Sequence, residues 1–122
     1  MRSILSLVLL LTALALPARA DMVLLMAEEH GCMWCARWND DIAPIYPKTA
    51  EGRAAPLQRI DIHTPLPPQI RLQRALHYTP SFVLLQDNVE VGRIEGYPGE
   101  DFFWGLLGML LRQAGHDLEA SG

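Results

Sequence analysis

The 122-residue chain has only two cysteines, no second cysteine pair, no internal repeat and no excess of basic side chains. Each shortage removes a class of function. With no second Cys-x-x-Cys, a four-cysteine structural zinc site is excluded. Ala36 stands where a c-type haem attachment requires histidine, so covalent haem is excluded. Ten Lys and Arg against fourteen Asp and Glu give a formal charge of −4, which argues against a nucleic-acid partner. The apolar run Ile4 to Leu16 holds about 13 residues, short of the roughly 20 that a membrane-spanning helix needs.

That run still carries information. Arg2 ahead of it and Ala18-Arg19-Ala20 behind it complete the pattern of a cleaved secretory signal peptide, so residues 1–20 are expected to be removed. A chain beginning at Asp21 keeps eight basic and fourteen acidic side chains, a formal charge of −6. Roughly one hundred residues suffice for a single domain with a modest core. The expected organisation is a signal peptide (1–20), one domain (21–115) and a flexible tail (116–122). Export also places the two cysteines where disulfides form and persist.

Those cysteines lie in His30-Gly31-Cys32-Met33-Trp34-Cys35, between an apolar run and a helix-like pattern. A crosslink over so short a loop gives little stability, because crosslink stabilisation grows with loop length in the chain-entropy model. It suits redox chemistry better. At the first turn of a helix, unpaired backbone N–H groups stabilise a thiolate, and a free-cysteine pKa of about 8.5 can fall to between about 3.5 and 7.5. Cys35, Trp38, Ile42 and Ile45 recur at helical intervals, which puts Cys35 on the core-facing stripe and Cys32 at the helix mouth. Thiol–disulfide exchange is therefore the expected chemistry, with Cys32 attacking and Cys35 resolving. A copper-binding chaperone using His30, Cys32, Cys35 and Met33, or a zinc site drawing on His63 or His77, is the alternative from another class.

The rest of the chain reads as alternating elements. Met22 to Ala27 is a continuous apolar run suited to a strand buried on both faces. The following helix is expected to kink at Pro44 and end at Tyr46-Pro47. Leu57 to Ile62 reads as a second strand, and the prolines at 65, 67 and 68 as a turn into a short helix over about Gln69 to His77. Ser81 to Gln86 and Val89 to Ile94 flank Asp87-Asn88, two residues that tolerate positive φ and suit a tight hairpin. Gly92 suggests a bulge. Phe102, Phe103, Leu106, Leu107, Leu110 and Leu111 have the spacing of a last helix closed near Gly115.

This order, with Cys-x-x-Cys at the first strand-to-helix turn, Pro44, Thr79-Pro80 before the hairpin, and Gly92 with Gly96, resembles the thioredoxin fold. The resemblance covers about Asp21 to Ala114. It implies an α/β fold of minimal β-α-β-α-β-β-α order, with a four-stranded mixed sheet flanked by helices. It also implies a cis Pro80 against the disulfide, exposing the backbone of Thr79 to the substrate. Three features depart from ordinary thioredoxins: no strand and helix precede Met22, Met26 stands where they carry a buried Asp, and Gly31 and Met33-Trp34 replace the usual motif residues. In an exported chain, Gly-Cys-Met-Trp-Cys is most similar to the small periplasmic thioredoxin-like proteins of the bacterial sulfur-oxidation (Sox) system.

The resemblance implies a periplasmic oxidoreductase with no cofactor beyond the Cys32–Cys35 disulfide. The expected direction is reduction of a mixed disulfide or oxidised cysteine on a partner protein, such as a Sox sulfur carrier. A membrane thiol–disulfide transporter would then supply electrons. A disulfide-forming oxidase is the alternative direction, and a monomer is expected. Met33, Trp34, Thr79 and Pro80 are the candidate substrate contacts, with Trp38 assigned to the core. Glu28, Glu29 and His30 are the candidate proton relays. Phe102, Phe103 and Trp104 are expected to be core packing, and Asp40-Asp41 a solvated helix face.

Overall fold

The computed structural model describes residues 21–119, so the signal-peptide segment 1–20 lies outside the described residues. The elements are β1 (Met22–Glu28), α1 (Met33–Asp41), a 3₁₀ turn (Tyr46–Lys48), α2 (Ala50–Ala54), β2 (Leu57–Asp61), β3 (Ser81–Gln86), β4 (Val89–Glu95) and α3 (Glu100–Gln113). The strands form one sheet in the order β2-β1-β3-β4. β1 pairs parallel with β2 and antiparallel with β3, and β3 pairs antiparallel with β4. The sheet is mixed and four-stranded, and the thioredoxin-like fold expected from the sequence is the fold observed.

An apolar run without alternation needs cover on both faces, and β1 has it. Leu24 and Met26 point into the larger core with Trp38 and Ile42 of the α1 side, Phe82 and Leu84 of β3, and Phe103, Leu107 and Leu111 of α3. Leu25 points the other way, into a smaller cluster with Val83, Leu85 and Ile70. Trp38 anchors the larger core, with ring centroids 5.1 Å from Phe82 and 5.7 Å from Phe103. Each fully buried large apolar side chain contributes about 1.5–3 kcal/mol relative to exposure. Together they hold α1 flat against the sheet, with its first turn at the end of β1.

Several local expectations are corrected. α1 stops at Asp41 instead of running through a kink at Pro44, and Ile45 is exposed, off the buried stripe. The chain turns there through the backbone bonds Ile45 N–H to Ile42 O (3.0 Å) and Tyr46 N–H to Ile42 O (2.9 Å). No helix forms over Gln69–His77. This segment is extended where it passes β4: Arg71 N–H donates to Asn88 O (2.8 Å) and Glu90 N–H to Arg71 O (2.9 Å). The Glu90 carboxylate accepts from Gln73 N–H (2.9 Å) and is ion-paired to Arg93 (2.6 Å), whose guanidinium also reaches the carbonyls of Arg74 and Ala75. These long-range partners take the backbone groups that a helix would have used, and tertiary context overrides local pattern. Ile70, with Leu66, Leu72 and Leu76, covers the second sheet face in place of a helix.

At the hairpin, Asp87 and Asn88 have φ of 51° and 67°, the paired positive values of a tight turn. The register shifts between Leu84 and Leu85, leaving Val91 as the extra residue beside Gly92. A Cβ on Gly92 would fall 2.5 Å from Leu110 Cδ2, so its bareness lets α3 lie close on β4. On α3, Phe103 is buried and Trp104 packs partly against the core, but Phe102 is 69% exposed and is not a core residue. Of the tail 116–122, His116–Glu119 are described, and Leu118 packs against the larger core. Asp40 and Asp41 are exposed, and Asp41 accepts a bond from the Tyr97 hydroxyl (2.9 Å).

Candidate active site

β1 runs out at Glu28, and the chain must reverse within four residues to enter α1. Gly31 provides the left-handed step, at φ +78°, that a side chain would strain. Cys32 then occupies the N-cap of α1 in extended conformation. Its Sγ accepts the Cys35 N–H at 3.1 Å, and its own N–H donates to Glu29 O at 3.3 Å. Cys35, one turn into the helix, is 3% exposed and shares the larger core with Trp38. Cys32 and Cys35 are joined in a disulfide.

This placement makes the sulfurs chemically unequal. Once the disulfide is reduced, the Cys32 sulfur lies at the positive end of the helix dipole with an N–H aimed at it, which favours its thiolate. The Cys35 sulfur lies in apolar surroundings, which favour the protonated thiol.

Beside the disulfide is an open cleft of about 690 Å³, lined among others by Glu28, Cys32, Cys35, Asn39, Arg59 and Asp61. Met26, standing where thioredoxins carry a buried Asp, is fully buried and cannot ionise. The charge appears two residues further along the same face of β1. Glu28 is ion-paired to Arg59. Arg59, opposite Met26 in the parallel register, also donates to Asn39 Oδ1 of α1 at 2.8 Å. Its guanidinium carbon lies 5.7 Å from the Trp38 ring centroid.

Glu29 is held differently. Its Oε1 accepts the Thr79 hydroxyl at 2.8 Å and its Oε2 accepts His63 Nε2–H at 2.7 Å. Bonds from Thr79 and then from His63 hold the Glu29 carboxyl below the usual carboxylate range. His30 is exposed at the cleft rim. His63, a candidate zinc ligand on sequence grounds, is engaged by Glu29. Among the described residues no group of three or more His, Cys, Asp or Glu side chains converges as a metal site.

The candidate substrate contacts fall into two groups. Met33 and Trp34, on the first turn of α1, are 72% and 47% exposed, and the Arg37 guanidinium lies 5.7 Å from the Trp34 ring centroid. Thr79 and Pro80 lie on the loop before β3, where their peptide bond is cis and Pro80 is buried. Thr79 makes no backbone hydrogen bond to any described residue. Glu29 links the cysteine turn to the Thr79 loop, since it contacts Cys32 through its carbonyl and Thr79 through its carboxylate.

Sequence reasoning missed Tyr78, Arg59 and Asn39. Tyr78 is 60% exposed beside Thr79, and its position before Thr-Pro was the available signal. Arg59 could be placed only once the β1–β2 register was known.

No protein-family model and no curated protein matches the chain. Among solved structures, it is similar to the crystal structure of the periplasmic thioredoxin SoxS from Paracoccus pantotrophus in its reduced form. The identity is 56% and the TM-score 0.76, over 77% of this chain and 99% of that one. Such identity across nearly the whole relative, with the cysteine pair at the helix mouth, makes the chain a thiol–disulfide oxidoreductase belonging to the thioredoxin-like family, SoxS type.

Proposed function

We propose that this oxidoreductase works in the periplasm as a reductase of a mixed disulfide or oxidised cysteine on a partner protein, with a Sox sulfur carrier the leading candidate. The observation that carries the reading is the inequality of the two sulfurs on a helix turn that also exposes Met33 and Trp34. In the reduced protein the Cys32 thiolate attacks the partner's disulfide sulfur, and the partner's first thiolate leaves. Cys35 then loses its proton and attacks Cys32, releasing the partner's second sulfur as a thiolate. Two electrons pass to the partner and the Cys32–Cys35 disulfide closes. Because an oxidising compartment would keep it closed, a membrane thiol–disulfide transporter is the donor we assign.

Three features support this reading. The similar SoxS is a periplasmic thioredoxin, residues 1–20 have the pattern of a cleaved export signal, and the exposed Met33 and Trp34 follow Cys32 while the exposed Tyr78 precedes Thr79, which leaves apolar side chains available to a docked segment.

The test is capture. Cys35→Ser, expressed with its own signal in the native periplasm, leaves the mixed disulfide unresolved and should accumulate one dominant partner linked through Cys32. Cys32→Ser should capture none. Equal capture by both variants, or none by either, would contradict the assignment.

A further inference from the structure

Glu29 stood in the sequence as one of three candidate proton relays, yet its carboxylate is spent on other bonds. One oxygen takes the Thr79 hydroxyl at 2.8 Å and the other takes His63 Nε2–H at 2.7 Å, so the group is oriented from two sides. The Glu29 carbonyl meanwhile accepts Cys32 N–H. On its far side, the loop carrying Thr79 is tied by Ser81 Oγ–H to Tyr78 O (2.6 Å) and by Gly96 N–H to Pro80 O (2.7 Å). On the cysteine side, Glu29 is the hydrogen-bonded tie to Thr79 among the described residues.

We propose that Glu29 is a positioning residue: it fixes Thr79 relative to Cys32, so that the unpaired Thr79 backbone can receive an extended segment of the partner protein in register with the attacking sulfur. The inference rests on the reductase reading above and deepens it by naming what sets partner geometry. A docking strand presents both its backbone and its sulfur, so the Thr79 backbone and Cys32 must be correctly spaced at the same time. A free side chain at Thr79 would leave the loop anchored from one side only. Depression of the Glu29 carboxyl agrees with a carboxylate that accepts two bonds near neutral pH.

The experiment compares two disulfides, insulin, which presents a polypeptide backbone, and 5,5′-dithiobis(2-nitrobenzoate), which has none. The readout is the ratio of kcat/KM on insulin to kcat/KM on the small disulfide. Loss of a hydrogen bond to a charged group predicts a fall of about tenfold in that ratio for Glu29→Ala, carried by KM on insulin. Glu29→Gln keeps an acceptor for the Thr79 hydroxyl and should hold the ratio within about twofold of the parent. Thr79→Val should match Glu29→Ala, and the double variant should fall no further than either.

Three-bond couplings in the free oxidised protein provide a readout independent of turnover: one Thr79 χ1 rotamer in the parent and Glu29→Gln, an averaged one in Glu29→Ala. An unchanged ratio in Glu29→Ala, a Gln variant as poor as Ala, or additive losses in the double variant would each overturn the proposal. A parent protein that reduces neither disulfide would instead defeat the reductase reading, while the couplings would still report whether Glu29 holds Thr79.

Discussion

At the scale of single residues, the two adjacent acids at the end of β1 have separate fates. Glu29 holds Thr79, while Glu28 faces the cleft it shares with Cys35 and is paired with Arg59. Because Glu28 lines the same cleft as Cys35, we propose it as the group that takes the Cys35 proton during resolution. Glu28→Gln keeps the shape and an acceptor for Arg59 but cannot take the proton. Stopped-flow fluorescence should show the first exchange step preserved and the second slowed by about 100-fold; equal slowing of both steps would remove Glu28 from the role. Glu90 is a structural acid. Burial raises its pKa, and the bonds from Arg93 and the Gln73 backbone lower it by more, leaving it below the ordinary carboxylate value. A carboxyl with a depressed folded-state pKa contributes stability that is present above the unfolded value and lost as pH falls through the folded one. Acid melts should therefore show Glu90-dependent destabilisation below about pH 4.5, absent in Glu90→Gln. At neutral pH, Glu90→Ala, which leaves the buried Arg93 with only the longer 3.4 Å contact to Glu95 as a charge partner, should cost about 3 kcal/mol.

At the scale of elements, the strands and α3 were legible because their signals are local: an unbroken apolar run for β1, the Asp87-Asn88 turn for the hairpin, and the i, i+3, i+4 spacing on α3. The Cys32 N-cap was legible for the same reason. What failed depended on distant partners. Nothing within Gln69–His77 announces that Glu90 and Arg93, some twenty residues on, will hold it extended, and nothing in α1 announces an end at Asp41 before Pro44 can kink it. The compact turn after α1 has its own constraint. A Cβ on Gly52 would lie 1.8 Å from Tyr46 O, a backbone atom that cannot move without shifting the 3₁₀ turn. Gly52→Ala should therefore destabilise by about 3 kcal/mol, at the upper end of typical overpacking costs. Chemical denaturation measures it. A neutral outcome would show that α2 is free to move away from the turn.

At the scale of the whole molecule, one sheet with α1 and α3 on one face and the 62–80 segment on the other brings the cysteine turn, the ends of β1 and β2 and the Thr79 loop to a single rim. That convergence gives a small exported domain a complete exchange site. Direction is then a matter of potential. Family reductants lie near about −270 mV and strong oxidants near about −120 mV, a difference of roughly 7 kcal/mol for two electrons. The most direct measurement is an equilibrium redox titration of the Cys32–Cys35 couple in the protein beginning at Asp21, followed by tryptophan fluorescence or thiol trapping. A value near the reductant end, with the dithiol form reducing the partner captured by Cys35→Ser, is the expected result. A value near the oxidant end, with the dithiol form leaving that partner oxidised, would contradict the account and make the protein a disulfide-forming oxidase.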